Sequence, residues 1–400
     1  MKKKDQERYQ REYEELTGAP LEPQGGFVDD DAPAAPVRKR PQSASRAADR
    51  KRRMEIYERE KAKERKRARR RRTWITVLAI LLLLVAAGWI FWHAWARKPE
   101  VKTAAPVLAN AANGEDIVRG EDTFTLLVAG TDKAAGLTDT ILLGKFDAKN
   151  HSAHFYSIPR DTCVNEDWAT KKVNQYYSSG GGGADGAKAM IAGMKKLLGF
   201  EVDHYMIIDL EAFIDLVDTI GGVEFDVPID MNYDDPWQDL SIHVSAGPQT
   251  LNGHDAMGVW RYRKTYANGD IGRLDVQHDL LKAVVKQTLT LGNIRNLDKI
   301  INIISRRVET DLSAGNLAYF AQQFLQMDED KVTFNTAPGN YNGQMNKLSY
   351  VFLYPEEWLQ CVNNEINPYS VQVSLADTDI VYESGSGLAS TSGQLARNFP

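Results

Sequence analysis

The sequence predicts an α/β domain, a three-layer α-β-α sandwich with a central mixed sheet, preceded by a single transmembrane helix. Three observations lead there. Thr73–Ala96 is a continuous apolar stretch without Asp, Glu, Lys or Arg. From Asp122 to about Asn367, strand-like runs and helical periodicities are interspersed, as in layered α/β domains. Charge also divides at the apolar stretch. Residues 1–72 carry 23 Lys+Arg against 14 Asp+Glu, or +9, and residues 73–400 carry 26 against 40, or −14.

The apolar stretch reads TWITVLAILLLLVAAGWIFWHAWA. It is long enough for a hydrocarbon core, which takes roughly 20 residues. Trp74 stands near one end and Trp89, Trp92 and Trp95 near the other, where headgroups favour tryptophan. A buried core helix of this length would show a polar face, and a signal peptide would be shorter and nearer the N-terminus. The run KAKERKRARRRR (61–72) abuts one side and only Arg97 and Lys98 the other. The positive-inside rule therefore places residues 1–72 in the cytoplasm and residues 98–400 outside the cell. That basic run suits anionic membrane lipid, and its position argues against nucleic acid as its partner.

Domain boundaries follow. Residues 1–72 form a basic, largely disordered tail, 73–96 the membrane helix, 97–121 a linker, 122–368 the folded extracellular domain and 369–400 a C-terminal tail. Within the domain, FTLLVAG (124–130), TILLGKF (140–146) and AHFYSI (153–158) read as strands, with turns at DAKN and Pro159. Residues 185–199 have helical spacing and a closing glycine. HYMIID (204–209) and VEFDVP (223–228) are strands on either side of a helix at 210–222. Further helices are expected at 253–264, 272–290, 293–306 and 314–326, and a strand at 331–337. SGSGLASTSGQLARNFP, with its small and polar residues, reads as disordered. Cys163 and Cys361 both lie on the outer side, where a disulfide or two buried thiols are open alternatives. Seven scattered histidines form no metal motif.

Chemistry gathers at strand and helix ends. AGTDKAAGLTDTILL (129–143) puts Asp132 just after one strand and Asp139 just before the next, at one sheet edge. Paired carboxylates there suit Mg²⁺, although Asp is also a common turn residue. In YSIPRDTCV (156–164), Pro159 ends a strand and Arg160–Asp161 follows. Residues 161–260 contain no arginine, yet WRYRKTYANGDIGRLDVQ (260–277) holds Arg261, Arg263 and Arg273. Arg273 lies in the first turn of a predicted helix, with Gln277 one turn later on the same face. A cation at a helix start opposes the dipole. It suits a docked anion, since backbone N–H groups also point there and guanidinium grips phosphate in a fork. Two readings stand open on spacing alone: a diphosphate site, or an ion-pair network with Asp132, Asp139, Asp161 and Asp270.

LLVAGTDKAAGLTDTILL, SIPRDT, DHYMIIDLEAFIDLVDTIGGVEFDVP, LNGHDAMGVWRYRK and GDIGRLDVQ follow one another in an order that resembles the LytR-CpsA-Psr family, over about residues 122–368. The resemblance implies a phosphotransferase of a Gram-positive-type envelope. Such enzymes move a glycopolymer, a teichoic acid or capsular polysaccharide, from undecaprenyl diphosphate to a peptidoglycan hydroxyl. The implied core contains a pocket for the polyprenyl tail; Met190, Met194, Leu197, Phe213 and Leu216 could line it or be plain core. By position, Asp132 and Asp139 resemble the family's Mg²⁺ ligands. Arg160, Arg261, Arg263 and Gln277 resemble its diphosphate-binding residues, and Arg273 is the arginine of its GR pattern. The implied catalytic set is Arg160, Arg261, Arg263 and Asp139, with Asp139 or Asp270 as candidate base. Two positions depart from the pattern: Leu137 and Val276 stand where relatives often have arginine, which makes the anion site less positive. A polyprenyl-phosphate binder without chemistry and a diphosphate hydrolase are the alternatives; an extracellular domain does not suit a transcription regulator.

Overall fold

A computed structural model describes residues 51–52 and 96–399, apart from 102–105, 107, 110, 112–115, 133–136, 236–239, 265–269, 289, 291–295, 328 and 386. The expected membrane helix falls outside the described residues except for Ala96, and so does the N-terminal tail except for 51–52. No helix among the described residues is long and apolar enough to cross a membrane. Residues 96–399 belong to a single compact unit.

In chain order the elements are β1 (Thr123–Asp132), β2 (Leu137–Asp147), β3 (Ser152–Ser157), α1 (Gln175–Ser179), α2 (Gly183–Leu198), β4 (His204–Asp209), α3 (Leu210–Thr219) and β5 (Val223–Val227). There follow β6 (Met231–Asp235), β7 (Leu240–Val244), β8 (Gly247–Leu251), α4 (Gly253–Arg261), α5 (Asp270–Thr288), α6 (Leu297–Arg307), β9 (Val308–Thr310) and α7 (Ala314–Phe324). Last come β10 (Val332–Thr336), β11 (Gly339–Met345), β12 (Leu348–Leu353), α8 (Pro355–Cys361), β13 (Val381–Ser384) and β14 (Gly387–Ser390).

The central sheet is mixed, with order β10-β3-β2-β1-β4-β9. β1 runs parallel to β4, and β3 to β10, while the remaining pairs are antiparallel. Alternation sorts its side chains onto two faces. Leu127, Ala129, Ile141, Leu143 and Tyr156 pack with Met190, Met194 and Leu197 of α2 and Trp358 of α8. Phe124, Leu126, Leu142, Phe146 and Phe155 lie on the other face with Tyr319, Phe320 and Phe324 of α7 and Leu281 of α5. A further core, including Val217, Val223, Met231, Ile242, Val259 and Leu280, ties α3, α4 and α5 to the two ribbons β5–β8 and β6–β7.

Trp358 anchors the first face. It is fully buried, its indole Nε1–H donates to the Leu197 carbonyl at 2.8 Å, and its ring meets Tyr156 edge-on at 5.7 Å. Trp358→Ala leaves a large void and an unpaired carbonyl, and is expected to destabilise the domain by about 3–5 kcal/mol. Thermal melts followed by circular dichroism check this; an unchanged midpoint would mean the layer closes without the indole.

Two expectations need correction, and one open alternative is decided. The C-terminal residues are not a disordered tail: β13 and β14 pair as a hairpin, and Val371, Val373, Ile380 and Val381 are buried. The small residues Gly385 and Gly387 serve the turn, and the apolar anchors are too widely spaced to show a period. The described part of the segment expected as a linker is likewise docked on the domain. Arg97 N–H donates to the Gly315 carbonyl at 2.9 Å, Leu108 is buried in the main core, and Ala109 N–H donates to Asp377 at 2.7 Å. Of the cysteine alternatives, the disulfide does not form: both thiols are free, and burial pushes that of Cys163 up to about 12.

Candidate functional site

The site begins with a fault in the sheet. In the β1–β2 ladder Gly130 pairs with Thr140, but Thr131 pairs with Thr138, so Asp139 has no partner of its own. Such a bulge re-aims a side chain. Ile141 and Leu143 face α2, and strict alternation would turn Asp139 the same way. The extra residue brings it to a cavity on the opposite face, with its side chain 47% exposed.

That cavity measures about 460 Å³ and lies between the sheet and the α3–α4–α5 layer. Its apolar wall includes Val128, Leu142, Ile208, Phe213, Trp260 and Leu281. Its polar rim gathers Asp139, Asp209, Arg160, Arg261, Arg263, Lys264, Arg273 and Gln277, five cations against two carboxylates. Residues separated by a hundred positions thus share one chamber, placed by strand and helix ends. Arg160 follows β3, Arg261 ends α4, Arg263 comes two residues later, and Arg273 and Gln277 project from the early turns of α5. Gln277 Nε2 donates to the Trp260 carbonyl at 2.8 Å, one of the last-turn carbonyls that a helix leaves open, and so joins α5 to the end of α4. One residue on, a 2.7 Å hydrogen bond between His278 Nε2 and Ser157 Oγ joins α5 to β3. Burial lowers the pKa of His278, against the pull of Asp275 and Asp279.

Asp139 stands between two guanidinium groups. One oxygen accepts from Arg160 Nη1 at 2.6 Å; the other lies 3.8 Å from Arg263 Nη2. Arg160 is also 3.6 Å from Asp161, whose carboxylate accepts from Lys172 Nζ at 2.7 Å. Burial works against the charge on Arg160, but the hydrogen bond and charge of Asp139, then Asp161, outweigh it and raise its pKa. Of the two readings left open by spacing, the ion-pair network is present through Asp139 and Asp161, and it borders a cavity with room for a ligand.

Some expected residues sit elsewhere or outside the description. The backbone of Asp132 pairs with Leu137 at the end of β1, and its side chain lies outside the described residues, as does that of Asp270. Among the five apolar candidates, Phe213 lines the cavity; Met190, Met194 and Leu197 belong to the core across the sheet, and Leu216 packs beside the α3–α4–α5 core. Helical spacing identifies an apolar stripe without saying which sheet face it covers. The two departures also separate. Leu137 lines the cavity, so an apolar group occupies its wall there; Val276 is buried in the α3–α4–α5 core and removes no charge from the cavity. The RYRK segment also supplies Lys264, which spacing does not single out: it lines the cavity with its ammonium 4.1 Å from the Tyr233 ring centre.

No group of three or more His, Cys, Asp or Glu poised for a metal occurs among the described residues. Mg²⁺ does not need one, because it is commonly held by one or two carboxylates, water and substrate phosphate. The exposed Asp139 carboxylate at the cavity edge, with Asp132 on the paired strand, is chemically compatible with that mode.

A model of the LytR_cpsA_psr family matches residues 95–367. The chain belongs to that family. The match encloses the whole cavity and stops short of β13 and β14. Among curated relatives, the polyisoprenyl-teichoic acid–peptidoglycan teichoic acid transferase TagV of Bacillus subtilis strain 168 is 31% identical over 199 residues, 47% of this chain and 50% of TagV. The correspondingly named TagU of the same organism is 24% identical over 252 residues, 61% of this chain and 79% of TagU. The chain thus spans only half the length of the TagV relative. The crystal structure of B. subtilis TagV superposes with a TM-score of 0.52 at 25% identity, covering 60% of this chain and 95% of that one. Protein gbs0355 of Streptococcus agalactiae gives 0.53 at 23% identity, covering 60% and 86%, a likeness of fold.

Proposed function

We propose that this family member transfers a glycopolymer, of teichoic acid or capsular polysaccharide type, from undecaprenyl diphosphate to a hydroxyl of peptidoglycan. The observation that carries this reading is the cavity itself: Arg160, Arg261, Arg263, Arg273 and Gln277 meet at a rim above an apolar wall. Positive charge suits a diphosphate, and the wall suits the first isoprene units of its carrier. The names of the TagU and TagV relatives support the substrate class. Anchoring by residues 73–96, with the domain outside the cell, belongs to the same proposal.

In the proposed reaction the acceptor hydroxyl oxygen attacks the phosphorus that bears the glycopolymer. The bond from that phosphorus to the bridging oxygen breaks, and undecaprenyl phosphate leaves with the electron pair. The hydroxyl proton passes to a base at the rim, where Asp139 is the exposed carboxylate. Arg160 and Arg263 neutralise the charge that grows on the leaving phosphate; positioning and charge stabilisation dominate such transfers. Asp139 and Asp132 are the residues that would hold Mg²⁺, whose chemistry there would be to offset diphosphate charge. The test mixes the full chain in detergent with lipid-linked glycopolymer, peptidoglycan oligosaccharide and Mg²⁺. Undecaprenyl phosphate is expected in step with glycopolymer-bearing oligosaccharide. Its release without acceptor would mark a hydrolase, and no release despite binding would mark a binder; either result overturns the proposal.

A further inference from the structure

The C-terminal strap, beyond the residues matched by the family, reaches the loop that carries Arg160. This loop, 159–174, leaves β3 at Pro159 and folds back on itself. Val173 N–H donates to the Thr162 carbonyl at 2.9 Å and Asn174 N–H to that of Arg160 at 3.3 Å. A bridge between Cys163 and Lys172 sets its register. Lys171 and Lys172 therefore point to opposite sides. Lys172 reaches Asp161, the neighbour of Arg160. Lys171 is 2% exposed, which is costly for an ammonium without close partners.

Its partners come largely from the chain end. Lys171 Nζ donates to the carbonyls of Glu166 and of Arg397, the latter at 3.0 Å, and lies 4.5 Å from the Phe399 ring centre. The strap is also laced to the loop. Asn165 donates to the Gln394 carbonyl at 2.9 Å and accepts from Ala396 N–H at 2.7 Å, and Asn398 donates to Asp167 at 2.6 Å. Leu395 and Phe399 pack beside Cys163, Tyr350 and Phe352.

We propose that residues 395–399 are a positioning strap for the anion site. By enclosing the Lys171 ammonium they fix the register of the loop, which holds Lys172 against Asp161 and Arg160 against Asp139. Lys171 is then a positioning residue, acting through Arg160. The role in anion binding rests on the diphosphate reading above; the loop's dependence on the strap does not.

The experiment compares the full chain, a chain ending at Gln394 and Lys171→Met in detergent. Amide hydrogen exchange is expected to quicken about tenfold or more at Val173 and Asn174 in both variants, with β1 and β4 unchanged. Farnesyl diphosphate, a short carrier surrogate, is expected to bind about tenfold more weakly to both. The decisive reading combines each with Arg160→Ala. Its penalty on farnesyl diphosphate binding should shrink in the shortened chain, because neighbours in one network are not additive. Unchanged exchange in the loop, or an equal Arg160→Ala penalty with and without the strap, would overturn the proposal. Failure of the intact chain to bind farnesyl diphosphate would instead sink the lipid-diphosphate reading, and the exchange result alone would then decide whether the strap holds the loop.

Discussion

Arg160→Ala is expected to lower glycopolymer transfer by about 10³-fold, the scale associated with a guanidinium that neutralises charge in phosphoryl transfer. Arg160 binds Asp139 at 2.6 Å and lines the cavity, while its backbone belongs to a loop held by other contacts. The fold should therefore survive, with a stability change within about 1 kcal/mol, as befits a partly exposed ion pair. Arg160→Lys restores charge without the planar fork and should recover only a small part of the rate. Rates are read as undecaprenyl phosphate released, with melts run in parallel. Intact transfer in Arg160→Ala, with an unmoved melting temperature, would remove Arg160 from the mechanism.

Asp139→Asn is expected to cut transfer by about 10²-fold or more, because it removes a candidate metal ligand and base in one nearly isosteric change. Its effect on binding should have the opposite sign. The carboxylate now sits between Arg160 and Arg263, where it competes with a phosphate for the same two cations. Without Mg²⁺, Asp139→Asn should hold farnesyl diphosphate more tightly than the intact chain; with Mg²⁺ that advantage should vanish. Calorimetric titration with and without the metal checks both signs. Weaker binding in the metal-free titration would assign Asp139 to support of the arginines alone.

These expectations rest on residues already visible in the sequence, and the reasons are specific. Strands β1 to β4 and helices α2 to α7 were legible because long apolar periods and terminal glycines marked them. Polar ribbons were not. β6 holds MNYDD and β11 holds GNYNGQM, runs whose pairing comes from the partner strand rather than from an apolar alternation. The gathering of Arg160 with Arg261 and Arg263 was legible only as a guess about strand and helix ends. It depends on α4 and α5 folding over the sheet, a long-range arrangement that spacing leaves open. Lys264 went unread because a fourth cation beside three arginines looks like ordinary surface charge. The strap escaped for a different reason: its grip on Lys171 uses backbone carbonyls, which every sequence possesses and none advertises.

The displaced register at Thr138–Thr140 has a practical consequence for anyone altering this protein. Length changes in the connection between β1 and β2 stop short of the irregularity and should leave Asp139 where it is. Deleting one residue inside it would instead turn inside out whichever end of β2 gives way: side chains shaped for one apolar layer would be thrust into the other, or the acid would be driven beneath α2. The protein's tolerance for insertion and its intolerance for excision should therefore meet within a span of a few residues.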